Sequence, residues 1–599
     1  MYLILIETSG NQSYIFATNK LRENVGASEL TYRAGTEWVL QAVQDITDKP
    51  LWSENVATLR ENLCRPDLNP PIDPNHPTAV EVITATSGKA LLLVNDREVG
   101  RRIVRAVTRK ALQEAPGLDV CGVISDEFDF NLRPIGTVNE AVHRKFEEAR
   151  ASRPAPALRF LRVPVVDECE TSGLPAAAWV VNEAGDPREK VARSNLSLQK
   201  RAYADAYRRR MQALLDRYGI NRQLPRNPGD LEKQCEWLAV VHADGNGLGQ
   251  IFLNFAAYID FEREQQTAGN EVLNRRYVER MRAFSLALDV CTEKAFVTAL
   301  TAITERKLNG DDEKVLPLLP IILGGDDLTV MCDGKNALRF THKFLTAFET
   351  ETAREVQAPF DGILSKVAGV AFSPNKRLSA CAGVAIIKPH FPFSAAYDLA
   401  AELILSAKQV KKLITNPNKK DSHTPDHKTP WPCSALDFHA LYDSSSSQLA
   451  SIREKLRYRN QAENREVRSY ARPYVVTPVN ELRGADGADW AVLHHWDSLA
   501  RQVEAILAPE LDDSGQATGR RKLPNTQLHE LRAGLPLKKE IADGRFKLIQ
   551  QRYDLSLFAG EHAETLYRSE QEETGSKIEF TTLLDAMDAA NFWRKDDAA

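Results

Sequence analysis

The sequence predicts an α+β protein with two ferredoxin-like βαββαβ units, joined by a helical linker and followed by a mostly helical C-terminal region. Three observations predict it. First, two segments begin alike, Leu3-Ile4-Leu5-Ile6-Glu7-Thr8-Ser9-Gly10-Asn11 and Leu238-Ala239-Val240-Val241-His242-Ala243-Asp244-Gly245-Asn246. Second, each is followed by an apolar–turn–apolar pattern, one around Thr86-Ser87-Gly88-Lys89 and one around Gly324-Gly325-Asp326-Asp327. Third, each half then offers a helical pattern, over 97–113 and 335–354, and a further apolar run, over 118–124 and 379–387. A repeated strand, helix, strand–turn–strand, helix, strand order is the split βαββαβ layer.

The domain boundaries follow. Residues 1–150 form a degenerate first unit and 151–232 a helical linker; 233–420 form the chemical unit and 421–599 a mostly helical C-terminal domain. Charged helical patterns over 143–153 and 187–217, including Arg208-Arg209-Arg210, read as a solvated face ahead of an RNA contact. Thr415 to Pro432 reads as a loop, and Asp512-Asp513-Ser514-Gly515 as a break between C-terminal helices at 490–507, 526–533 and 545–559.

Composition bounds the function. An apolar share of 43% and a charged share of 27% are those of an ordinary globular protein, and a net charge of −5 carries no global nucleic-acid signature. The cysteines at 64, 121, 169, 235, 291, 332, 381 and 433 include no Cys-x-x-Cys pair. That spacing supports neither a zinc site nor a disulfide framework. The start MYLILIETSG turns polar too early for a signal peptide, and no apolar run reaches a membrane-spanning length. A cytoplasmic protein with no membrane partner is expected.

The chemistry concentrates in the second copy. Asp244 ends an apolar strand, Gly245 and Gly247 open the turn behind it, and Asn246 tolerates unusual φ, so Gly245 and Asn246 are expected to border the nucleotide's phosphates. Gly324 and Gly325 leave backbone bare for phosphates, with Asp326 and Asp327 at the hairpin tip. In a split βαββαβ sheet the first and third strands are neighbours, so three carboxylates converge. Clustered carboxylates repel unless a cation neutralises them, and two Mg²⁺ or Mn²⁺ ions against a triphosphate do that. Lys408 and Lys412, four apart on one helix, add ammonium groups suited to phosphate oxygens. Aligning the Gly-Asn pairs puts Ser9 where Asp244 stands, so the first copy keeps the architecture without the carboxylates.

At these residues the chain resembles the large palm-domain subunit of type III CRISPR effector complexes. The likeness covers Ile6–Leu30, Ala85–Val94, Cys169-Glu170-Thr171-Ser172-Gly173-Leu174-Pro175-Ala176 and the second palm. It includes Leu378–Ile387, Pro392-Phe393-Ser394 and Ala407-Lys408, then Ala471-Arg472-Pro473-Tyr474 and the C-terminal helices. The resemblance implies ATP as substrate and cyclic or linear 3′–5′ oligoadenylates as product. It implies metal binding by Asp244, Asp326 and Asp327, a phosphate turn at Gly324 and Gly325, and phosphate contact by Lys408. Two departures stand out. No His-Asp dipeptide occurs, so the nuclease domain of many family members is not expected, and Cys169 is a lone remnant of the family's zinc site.

Expected partners are therefore ATP, with RNA and CRISPR-type sibling subunits, or else a standalone or homo-oligomeric synthase. Two other functions compete with the synthase. One is a non-catalytic or RNA-gated scaffold subunit, supported by the degenerate first copy. The other is a diguanylate-cyclase-like enzyme using GTP, disfavoured because the helix after Asp244 begins Gln250-Ile251-Phe252-Leu253.

Overall fold

The computed structural model describes the chain except residues 74, 183–187, 226–230, 232–234, 260–268, 305–314, 356–359, 373–374, 421–427, 443–446, 461–463, 513, 561, 572–576 and 594–599. Part of the expected 415–432 loop and residue 513 of the expected C-terminal break lie outside the described residues.

Both expected units are present. In the first, β1 (Tyr2–Ser9), β2 (Val80–Thr86), β3 (Lys89–Val94) and β4 (Asp119–Ile124) form one antiparallel sheet in the order β2-β3-β1-β4. A short hairpin, β5 (Ala178–Val181) with β6 (Lys190–Arg193), precedes the linker helix Asn195–Arg217, so only the second half of the linker is a long helix. The second unit places β7 (Leu238–Gly245), β8 (Leu318–Gly324), β9 (Asp327–Asp333) and β10 (Ala380–Ile387) in the order β10-β7-β9-β8. In each unit the first and third strands lie side by side, as the pattern predicts. The central strands are apolar runs buried on both faces: Leu3 to Ile6 and Leu238 to Val241 are at most 2% exposed.

The boundary expected at 420 does not hold. After the hairpin β11 (Thr415–Lys420) with β12 (Lys428–Pro430), strand β13 (Ala435–Ala440) joins β10 in parallel. The second sheet therefore has six strands, β16 (Tyr474–Val475) closing its far edge. The helix expected at 526–533 occurs as Asn525–Gly534, the one expected at 490–507 is split into Ala488–Leu493 and Trp496–Leu507, and the one expected at 545–559 lies earlier, at Lys539–Gln550. They share that region with a four-stranded sheet of β14 (Arg457–Asn460), β15 (Arg465–Arg468), β20 (Lys577–Phe580) and β19 (Arg568–Gln571), and with the hairpin β17 (Pro509–Leu511)–β18 (Ala517–Arg521). These strands are three to five residues long, and half of their residues are charged. They carry too little alternation to be read from sequence.

The two units pack against each other through reciprocal contacts. The Phe16 ring of the first stacks on Tyr397 in helix Phe393–Ala407 of the second, with centroids 3.7 Å apart. Asn19 Oδ1 accepts hydrogen bonds from the Ser394 N–H and hydroxyl at 3.1 and 3.0 Å. Reciprocally, Asn274 in helix Asn270–Thr304 accepts from the Ile135 N–H at 2.8 Å and donates to Phe130 O at 2.6 Å. Arg275 and Arg282 of that helix both bond the buried Glu81 carboxylate on β2. Arg210 also departs from expectation: it turns inward to bond Glu29 at 2.8 Å and lies 4.0 Å over the Tyr32 ring, while Arg209 is exposed.

Phe16 is buried and anchors this seam, so Phe16→Ala should destabilise the packed pair by about 3 kcal/mol in urea unfolding. A double-mutant cycle with Tyr397→Leu should recover a coupling of about 1 kcal/mol. Additive single effects would show that the stack contributes nothing beyond burial.

Candidate functional site

β7 delivers His242 and Asp244 to one face, because residues two apart on a strand share a face. That face lies under helix Phe393–Ala407: Asp244 is opposite Cys381 on β10, whose side chain packs with Ile404 and Ala407. The pairing of β7 with β9 ends at Ala243–Leu328, and one step beyond it stand Asp244 and Asp327. Directly opposed residues of an antiparallel pair lie on the same face, which puts Asp327 beside Asp244.

Asp326 reaches the group from the other side of the turn. Any Cβ on Gly245 would come within 2.8 Å of Asp326 Oδ2, so only glycine leaves room for that carboxylate. The Gly245 N–H hydrogen-bonds it in return. Gly325, at φ +62°, takes the left-handed turn between the strands, and the space where its Cβ would stand is open. The residue behind Asp244 with positive φ is Gly247 at 76°, not Asn246.

The electrostatics are those of crowded acids. Burial pushes the Asp326 carboxyl up, offset in part by the turn's N–H groups. Burial and then the Asp326 charge push Asp327 up to about 8. Asp244 differs, because Lys408 at the end of helix Phe393–Ala407 donates directly to its Oδ2. Burial and the neighbouring Lys411 pull the Lys408 ammonium down to about 8, against the attraction of Asp244.

Not every expected residue joins the group. Asn246 is 5% exposed, and its amide donates to Ser379 Oγ at 3.0 Å and Cys433 O at 3.2 Å. Those bonds tie the turn to β10 and the chain before β13, which corrects the expectation that Asn246 meets phosphate. Lys412 is exposed on a separate four-residue helix, Val410–Leu413, because the chain turns at Lys408 and Gln409. The two lysines therefore share no continuous helical stripe. Cys169 is buried, with Sγ 3.4 Å from Thr171 Oγ1, and is one of eight free cysteines.

Three further residues belong to the site. His242 is buried, with Nδ1 3.0 Å from Thr329 Oγ1, and burial holds it down at about 4, so the ring is neutral. Tyr397 lies 5.3 Å from that ring and within the field of Asp327, its hydroxyl buried with no hydrogen-bond partner among the described residues. Asp289 on helix Asn270–Thr304 accepts from the Gly325 N–H at 3.1 Å. His242 was legible as the residue two before Asp244; Tyr397 and Asp289 carry no local signal.

The first unit has a different charge arrangement at the equivalent turn. Lys89 opens β3, the place Asp327 holds on β9. Its ammonium lies 3.0 Å from Glu7 Oε2 and 3.0 Å from His143 Nε2. A covalently attached cation thus neutralises the acid there.

Residues 237–415 match the family model for the Cas10/Cmr2 second palm domain. No curated protein sequence matches the chain. Among solved structures, a chain of the type III-B Cmr-beta assembly in its apo state aligns at 11% identity and TM-score 0.45, covering 98% of this chain and 81% of that one. A chain of the Csm1–Csm4 cassette in complex with cA4 aligns at 12% identity and TM-score 0.37, covering 72% of this chain and 56% of that one. The cassette in complex with AMPPNP gives 12% and 0.36, with coverages of 68% and 53%. The chain thus spans little more than half the length of the Csm1–Csm4 chains it matches. The family match bears out, for the segment that carries Asp244, Asp326 and Asp327, the resemblance read from its motifs: residues 237–415 form a palm domain of the Cas10/Cmr2 second-palm type.

Proposed function

We propose that this chain is a metal-dependent nucleotidyltransferase that joins ATP into cyclic or linear oligoadenylates, releasing pyrophosphate, in prokaryotic antiviral defence. The observation that carries this reading is the meeting of Asp244 and Asp327 across the central strands, with Asp326 packed on Gly245, inside a segment matched by the Cas10/Cmr2 palm model. RNA and sibling subunits of a type III complex are its proposed partners.

The donor set fits a hard divalent cation, since all three groups are carboxylates. Among the described residues, no three His, Cys, Asp or Glu side chains gather into a cage that could hold an ion by itself. That also fits Mg²⁺, which binds through one or two carboxylates and fills its shell with water and substrate phosphates. Two Mg²⁺ or Mn²⁺ ions held by Asp244, Asp326 and Asp327 would neutralise the triphosphate and acidify the attacking hydroxyl. The chain's own groups then have separate tasks. The bare Gly324-Gly325 backbone admits the phosphates, and Lys408, once Asp244 is neutralised otherwise, turns its ammonium to them. In the reaction a ribose 3′-oxygen forms a bond to the α-phosphorus of a second ATP. The bond from that phosphorus to pyrophosphate breaks, and the hydroxyl proton leaves to solvent.

In the full chain, supplied with Mn²⁺ or Mg²⁺ and, where needed, its RNA and sibling subunits, ATP should yield oligoadenylate and pyrophosphate by mass spectrometry. Asp326→Ala with Asp327→Ala should lower turnover by at least about 100-fold. Unchanged turnover in that double variant would sink the site assignment. Efficient dimer formation from GTP alone would favour a diguanylate cyclase, and no turnover in the assembled complex would favour a scaffold.

The raised pKa of Asp327 has a stability consequence. Between the ordinary carboxyl value near 3.8 and about 8, the folded chain holds a proton that the unfolded chain has lost, so stability falls as pH rises through that window. Asp327→Asn should therefore raise the melting temperature at pH 8 by a few degrees and flatten the decline from pH 5 to 8. Mn²⁺ with nucleotide should stabilise the unaltered protein more at pH 8 than at pH 6, because binding needs the ionised acid. A melting temperature independent of pH in both proteins would contradict the assigned environment of Asp327.

A further inference from the structure

We propose that Arg60, in the otherwise degenerate first unit, is a positioning residue for the Gly324-Gly325-Asp326-Asp327 turn of the second; the proposal rests on the functional reading above. The turn is gripped from the outside by helix Asn270–Thr304. Asp289 Oδ1 accepts from the Gly325 N–H at 3.1 Å, and Thr292 Oγ1 donates to the Gly325 carbonyl at 2.5 Å. Both polar groups of the one turn residue in the left-handed region are thus held by a single helical turn.

That grip places Asp289 near Glu293, one helical turn away, where like charges repel. Arg60 resolves it. From helix Val56–Cys64 its guanidinium bonds Asp289 Oδ2 through Nε at 3.1 Å and through Nη2, and bonds Glu293 through Nη1 at 2.9 Å and Nη2 at 2.6 Å. Arg217, on the linker helix, adds a 2.9 Å bond to Glu293. The Arg60 side chain is 9% exposed and that of Asp289 22%, so these charges are only partly screened. Only a planar fork serves both carboxylates at once. The first unit also meets the turn directly: a Cβ on Gly324 would lie 3.5 Å from Ser87 Cβ.

Without the guanidinium, Asp289 keeps no strong counter-charge and is drawn toward solvent, releasing Gly325 and with it the spacing of Asp326 from Asp244. Arg60→Met should lower kcat for ATP about 10- to 100-fold, with KM within about twofold. It should also speed amide hydrogen exchange in the 321–330 segment. Asp289→Asn keeps an oxygen for the Gly325 N–H and needs no counter-ion, so adding it to Arg60→Met should restore most of the rate and slow the exchange again. Arg60→Lys, a single point charge, should fall between. If Arg60→Met does not fold, Asp289→Ala removes the Gly325 acceptor while leaving the Arg60–Glu293 pair, and should show the same exchange change. Unchanged exchange and turnover in Arg60→Met, or no rescue by Asp289→Asn in a folded double variant, would overturn the proposal. Exchange that moves as expected in a chain with no turnover would leave the clamp standing and sink the functional reading instead.

Discussion

Carboxylates placed together at the ends of the two central strands must be neutralised, and much of the second unit is arranged around that requirement. Each acid is met by a different device. Lys408 bonds Asp244, the Gly245 N–H bonds Asp326, and Asp327 is left as the acid that burial and its neighbour push up. A set of groups that disfavours its own charge in the apolar layer carries a standing cost in stability, which the divalent cations of the proposed function would relieve.

The first unit meets the same constraint in a closed way. Lys89 between Glu7 and His143 supplies a fixed cation where the second unit leaves acid. That unit also has a structural part. Its Phe16 seals the seam over Tyr397, its Glu81 holds two arginines of helix Asn270–Thr304, and its Arg60 reaches the acids beside Gly325. The two units are packed together, and the first backs the acidic turn of the second.

The fold was legible wherever apolar runs were long. The eight strands of the two units and the helices Arg97–Glu114 and Gly334–Ala353 fall within a residue or two of the segments read from sequence, because buried central strands are continuous apolar runs. Asp244, Asp326 and Asp327 were legible for the same reason: each follows from where such a run stops. Asn246 was misread because its amide bonds Ser379 and Cys433, partners far along the chain. Lys412 was misread because a helix break at Lys408 and Gln409 is set by packing and not by a Gly or Pro signal. Arg60 and Asp289 lie 229 positions apart, and nothing local marks either.

The most direct test of the central claim is an electron paramagnetic resonance titration of Mn²⁺ with the intact protein, with and without a non-hydrolysable ATP analogue. The carboxylate arrangement predicts weak binding of the metal alone and two closely spaced ions once the triphosphate is present, with the paired signal lost in Asp244→Asn. Equal Mn²⁺ binding with and without nucleotide, or a paired signal that survives Asp244→Asn, would contradict it.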